Sequence, residues 1–179
     1  MTTLRADAAR SRARILEAAR GHDVRHLRLN EVARDAGVGV GTVYRHFPTV
    51  PALVAALTVD TLERMRDLAR AAAEEPDAGR AFTDYLTGAL ALQLSDGGLQ
   101  SVLLAPADDA PEVREAKAEI VSAFQAVLDR AQRAGAVRPG LTVRQVEHLV
   151  CGVEYAVRLG EPADRERLLP VLLAGLRAP

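Results

Sequence analysis

The chain has 179 residues, 49% of them apolar and only 3% aromatic, and a formal net charge of −1. That is enough for a sizeable core filled by alanine and leucine, which favours helix over sheet. Cys151 is the only cysteine, which excludes an intrachain disulfide, and neither a signal core in Met1–Arg14 nor an uncharged membrane-length window is present, so a soluble cytoplasmic protein is expected.

The charge total hides a division. Residues 1–50 hold nine arginines and five acids, a balance of +4, while the remainder carries −5. A basic head on an acidic body suits phosphate binding, because the body repels misplaced DNA.

A first helix is predicted from about Ala6 to Arg20, with Ile15, Leu16 and Ala19 inward. Arg10, Arg12 and Arg14 lie around its exposed side, either as a solvated face or as phosphate contacts. Gly21 to Leu27 reads as a loop. Its His22 and His26 could share a metal if helical, but no thiol or carboxylate cluster supports that, and surface histidines are expected.

Asn30 to Pro48 reads as a short helix, a Gly37 turn and a second short helix. Val32, Ala36, Val38, Val43 and Phe47 form one shared apolar seam, and Ala33 is small where the helices cross. Gly37 falls where a left-handed residue would stop the first helix, and Pro48 closes the second. Such a pair is a helix-turn-helix, whose second helix enters a major groove, or an ordinary helical corner. As a DNA reader the second helix would present Thr42, Tyr44, Arg45 and His46, with Asn30 on the preceding helix. The Thr42 and Tyr44 hydroxyls suit phosphate, and Arg45 could fork onto guanine or clamp phosphate. Gly39 and Gly41 leave the helix start bare for a phosphate, and Val40 could touch a thymine methyl.

The string from Ala36 to Thr49, A-G-V-G-V-G-T-V-Y-R-H-F-P-T, resembles the recognition segment of TetR-family transcriptional regulators. The likeness extends back through Val32-Ala33 to Ile15-Leu16; beyond about residue 50 it is one of length and helical pattern. It implies an all-α homodimer, with a DNA-binding domain over 1–50 and a helical ligand-binding and dimerisation domain over 51–179. The sequence departs from the family pattern at two positions. Val50-Pro51 stand where a basic residue usually meets phosphate, and Arg28 stands where Ser or Thr usually caps the helix before the turn.

Thr49 reads as an N-cap with Pro51 in the first turn. The helix that follows is expected to run unbroken to about Glu74, about 35 Å, with Leu53, Leu57, Thr61, Met65, Leu68 and Ala72 at helical spacing. In the family such a helix is the lever between ligand and DNA. Further helices are predicted over Ala81–Leu94, Leu99–Leu104 and Glu112–Ala134. Together they would surround a pocket lined by Thr61, Met65, Phe82, Leu86 and Phe124. Tyr85, Gln93, Gln100 and Gln125 are its candidate polar groups, or else satisfied core and surface residues.

After a Gly/Pro turn, Thr142 caps a helix in which Val143, Val146, Val150, Val153 and Val157 recur at spacings of 3, 4, 3 and 4. The last helix, about Ala163 to Leu176, offers Leu169, Leu172 and Leu176, with Pro170 within it. The two helices would form a four-helix dimer interface, or pack only on their own body. His148, Cys151 and Tyr155 form a second stripe that could be a metal or redox site or a pocket wall; two soft ligands without a partner cluster weigh against a metal.

These features predict a dimeric reader of a palindromic DNA operator, a repressor released by an unidentified small-molecule inducer and without a cofactor. The rivals are an architectural DNA-binding protein lacking an inducer and an enzyme with an incidental helical corner. The latter lacks any nucleophile–base pair, phosphate loop or carboxylate constellation.

Overall fold

The computed structural model describes residues 2–105 and 110–178, and apart from one bridge between Val137 and Arg177 their regular structure is helical. The helices are α1 (Thr2–Arg20), α2 (Leu29–Asp35), α3 (Val40–His46), α4 (Val50–Leu57), α5 (Val59–Glu74), α6 (Ala78–Ser95), α7 (Leu99–Leu104), α8 (Pro111–Arg133), α9 (Val143–Leu159) and α10 (Asp164–Leu176), with a 3₁₀ turn at Val24–His26. They divide into two compact units. The first holds α1–α4 with α7, and the second holds nearly all of α5 and α8 with α6, α9 and α10.

In the first unit α1 packs on α2, α3 and α4, and α4 packs on α7. Ile15, Ala19, Leu29, Val32, Ala33, Ala36, Val43, Phe47 and Leu53 form one buried cluster. The predicted seam is this core, except that Val38 is only partly buried against it. Gly37, with φ +61°, ends α2. The Val38 amide donates to Ala33 O at 3.0 Å and the Gly37 amide to Arg34 O at 3.1 Å, the two bonds of a Schellman stop. Arg28 occupies the α2 N-cap and makes no side-chain capping bond.

The long helix expected from Thr49 to Glu74 is instead two. Thr58 is fully buried, and its hydroxyl donates to Val54 O (3.2 Å) and Ala55 O (3.1 Å). Turning a β-branched residue's hydroxyl back onto the preceding turn competes with the helical ladder, and α5 restarts at Val59. Thr49 does cap α4, accepting from the Ala52 amide at 3.2 Å.

The second unit is centred on Phe124, whose ring lies 4.3 Å from that of Tyr85 and 6.1 Å from that of Phe82, both stacked. Met65, Leu86, Leu90, Ile120, Val127 and Leu128 are buried. Long arginines close helix ends. Arg130 of α8 donates to Ala73 O in the last turn of α5 and to Glu75 O just beyond it, and Arg158 of α9 donates to Gln93 O (2.6 Å) and Leu94 O (3.3 Å) at the end of α6. Each meets carbonyls that the helix leaves unpaired at its negative end. Thr142 and Gln145 form a complete capping box at the start of α9. Pro170 sits inside α10 without ending it.

The valine seam of α9 faces inward. Val143, Val146, Val150 and Val157, with Leu169, Leu172 and Leu176 of α10, are all buried within a single chain, and Val153 is half-buried. The expectation that these residues form the surface between two copies is therefore corrected: α9 packs on both α6 and α10 and uses that seam to do so.

Candidate nucleic-acid interface

α3 is held from behind by Val43 and Phe47, which are buried, and presents its other face. Val40 is 43% exposed and Tyr44 48%, while Asn30, Gly39, Gly41 and Arg45 are exposed and Thr42 and His46 half-buried. The structure thus brings the predicted DNA-reading residues of α3 onto one accessible surface. Arg45 is pre-aimed along it: its Nε donates to Gly41 O and its Nη2 to the Thr42 hydroxyl, each at 3.2 Å. A Cβ added at Gly41 would meet nothing within 4 Å, so the start of α3 is open to a backbone phosphate.

The α1 arginines divide their work. Arg10 pairs with Asp7 at 3.0 Å in full exposure, a contact of little energetic weight that a phosphate can replace. The Arg12 guanidinium stands 5.4 Å from the Phe47 ring centroid, in cation–π position. Arg14 donates from Nη2 to Gly37 O at 3.2 Å, so it ties α1 to the turn that sets the angle of α3. Gly37→Ala tests this joint. A Cβ there would sit 2.8 Å from Arg14 Nη2, in a left-handed conformation. A loss of about 1–2 kcal/mol is expected in denaturant unfolding, because strain adds to the displaced hydrogen bond.

The two loop histidines do not share a ligand. His22 Nε2 meets Asp35 Oδ2 at 3.0 Å, and His26 Nδ1 meets Asp23 Oδ2 at 3.3 Å. The Arg34 side chain, and then His22, hold the Asp35 carboxyl below the usual carboxylate range. Among the described residues no group of three His, Cys, Asp or Glu could hold a metal, and no helix is long and apolar enough to cross a membrane.

In the second unit the predicted pocket residues separate. Phe82, Tyr85, Leu86, Phe124, Gln93, Cys151 and Met65 are buried, and Thr61 is half-buried on α5. Gln125 is exposed and donates to Asp129 at 2.7 Å, one helical turn on, so it faces solvent. His148 is exposed and Tyr155 is 55% exposed, which removes both from an inner wall. Gln100 is half-buried on α7 and belongs to the first unit.

Sequence reasoning does not reveal the buried carboxylates of α9, because charged side chains ordinarily face water. Glu154 is 2% exposed, and its Oε1 accepts from Arg158 Nε. Glu147 is half-buried and its carboxyl is pushed up by burial, an effect that His148, Arg144 and Lys117 oppose. Burial, with the Glu147 charge beside it, also raises the Tyr85 phenol above its ordinary value. The signal was present in sequence: Glu147, Cys151, Glu154 and Arg158 recur at 4, 3 and 4 along one face of α9. A separate cleft of about 360 Å³ lies between the start of α6, the α8–α9 turn and the end of α10, lined by Phe82, Thr83, Val137, Leu176 and Arg177 among others.

A helix-turn-helix with an exposed second helix on an otherwise helical chain is the arrangement of a DNA-binding transcription regulator. Comparison with known proteins gives the family. The profile of the bacterial regulatory proteins of the tetR family matches residues 15–57, and that of the transcriptional regulator SbtR-like C-terminal domain matches residues 77–178. The chain belongs to the TetR family. A TetR transcription regulatory protein from Mycobacterium vanbaalenii is 35% identical over 98% of this chain and 99% of its own, with a TM-score of 0.49. The TetR transcriptional regulator SCO0520 from Streptomyces coelicolor is 29% identical over 93% and 98%, with a TM-score of 0.53. NalD, the secondary repressor of the MexAB-OprM multidrug efflux pump in Pseudomonas aeruginosa, is 25% identical over 96% and 98%, with a TM-score of 0.56. No curated protein matches the chain.

Proposed function

We propose that the chain acts in the cytoplasm as a homodimeric repressor that reads a palindromic operator and leaves it when a small molecule binds. In this reading residues 1–50 contact DNA, and residues 51–179 carry dimerisation and ligand binding. The observation that carries it is α3, whose buried Val43 fixes a helix that offers Tyr44 and Arg45 outward. The likeness to NalD, itself a repressor, supports the sign of regulation.

Two copies must place their α3 helices about 34–36 Å apart to fill successive half-sites. A ligand that favours another spacing weakens binding by its differential affinity for the two arrangements. The copies meet through the outer face of α9 and α10. There Leu149, Gly152, Ala156 and Leu159 recur at 3, 4 and 3, all exposed, beside exposed Val171 and Gly175.

Selection of bound duplexes from a random pool at physiological salt tests the reading. A palindrome is expected, whereas recovery of nothing specific would favour the architectural alternative. On the selected duplex, Arg45→Ala is expected to lose about 1–3 kcal/mol of binding and Tyr44→Phe about 0.5–1.5 kcal/mol, with the dimer intact by sedimentation. Unchanged affinity in both variants would remove α3 as the reading helix.

A further inference from the structure

One exposed side chain of α3 has no use in phosphate binding. Val40 opens the helix and is 43% exposed, one turn before Tyr44 on the same face. Its side chain has no hydrogen-bonding group, so it can neither hold a phosphate nor pair with a donor or acceptor on a base edge. The packing of α3 against the first unit rests instead on Val43 and Phe47, both buried.

The residues on either side leave Val40 standing clear. Gly39 and Gly41 have no side chains, and the fold demands neither glycine. A Cβ at Gly41 would meet nothing within 4 Å, and one at Gly39 only Thr42 Oγ1 at 3.8 Å, an ordinary contact. Gly39 has φ −65°, which any residue adopts. Polar neighbours are turned elsewhere: Arg45 donates back to Gly41 O and to the Thr42 hydroxyl, each at 3.2 Å. The first turn of α3 therefore presents one apolar group with open space around it. In a helix-turn-helix, it is the N-terminal residues of the second helix that meet base edges.

In the major groove the base feature that answers an apolar side chain is the C5-methyl group of thymine. We propose that Val40 packs on a pyrimidine C5-methyl group in each half-site, so that methylation of a cytosine at that position strengthens binding. This rests on the reading of α3 as the DNA-reading helix and names what the helix reads. Hydrogen-bonded readout would sort the pyrimidines differently. A donor to thymine O4 accepts uracil, which keeps that oxygen, and rejects cytosine with or without its methyl group, because an amino group stands there. An apolar reader favours the methylated member of each pair.

The test uses the full-length protein and the palindrome recovered by duplex selection. Each thymine position is filled in turn, symmetrically in both half-sites, with thymine, uracil, cytosine or 5-methylcytosine, each opposite its complement. At one position the methyl group is expected to tighten binding about fourfold per half-site, hence about fifteenfold in the palindrome. The same ratio should hold for thymine over uracil and for 5-methylcytosine over cytosine. Val40→Ser, with folding checked by circular dichroism, should bring both ratios close to one. A palindrome in which no thymine outranks uracil overturns the proposal, as does a thymine preference that 5-methylcytosine does not share. Both outcomes are read on the wild-type protein. Ratios unchanged in a folded Val40→Ser overturn it as well. Recovery of no palindrome sinks the reading of α3 and this proposal together, whereas a palindrome indifferent to its methyl groups sinks this proposal alone.

Discussion

Glutamate in place of both Leu149 and Leu159 is expected to convert the protein to monomers and to weaken operator binding by about 10²–10⁴-fold, the avidity that linking two half-site readers supplies. Leu149 is 44% exposed and Leu159 70%, on a face of α9 that the chain itself does not cover. Gly152 lies between them, and Gly175 on the neighbouring α10; a Cβ at either would meet nothing within 4 Å. Glycine inside a helix costs about 0.5–1 kcal/mol relative to alanine. Nothing inside the chain repays that at these two positions, whereas close approach of another helix would. At a two-fold interface each leucine's patch faces its own copy or a neighbour of it, so four carboxylates would be desolvated near one another. Val150→Glu provides the contrast. Val150 is 3% exposed, so a charge there should unfold the second unit rather than separate two folded chains. Sedimentation with circular dichroism distinguishes the outcomes. A double variant that remains dimeric places the interface elsewhere.

How far the sequence is legible depends on whether periodicity also tells direction. The spacing of Val143, Val146, Val150, Val153 and Val157 identified a seam correctly but not what it meets. Helix-on-helix packing within one chain and between two chains needs the same a/d pattern. The less regular outer stripe, with its glycine and alanine, is where the proposed approach of a second copy would be read. Thr58 shows a different limit. Apolar spacing runs through it from Leu53 to Leu68, so the pattern alone predicts one helix. The local signal was there in Thr58 followed by an acidic Asp60 in the first turn of the next helix. In the first unit each level agrees. Glycine, proline and the apolar seam all specify the same turn, which explains why the α2–α3 pair was readable almost residue by residue. The roles of Arg12 and Arg14 were not, because whether an arginine reaches solvent or folds onto Phe47 and Gly37 depends on contacts 23 or more residues away.

Phe124→Ala is expected to destabilise the second unit by about 3–5 kcal/mol, a fall in the melting midpoint of roughly 6–20 °C. Aromatic residues make up only 3% of the chain, yet Phe82 and Tyr85 both stack on Phe124, which is 1% exposed. The surrounding core is mostly short aliphatic side chains, with Met65 the one long flexible exception, so most of the space a phenyl ring leaves stays open and most of the cavity cost is added. The loss also exposes Tyr85 on one side. Its phenol is buried and held neutral by its surroundings, so water admitted beside it should bring its ionisation back towards the ordinary range. That gives a second readout, the ultraviolet titration of tyrosine, which moves only if the stack is real. Phe124→Leu, which keeps most of the volume, should cost well under half as much. All three proteins are to be compared at one concentration, since a dimer's midpoint depends on it. A fall of less than about 2 °C for Phe124→Ala, with the tyrosine titration unmoved, would mean that the second unit is organised around something other than this ring.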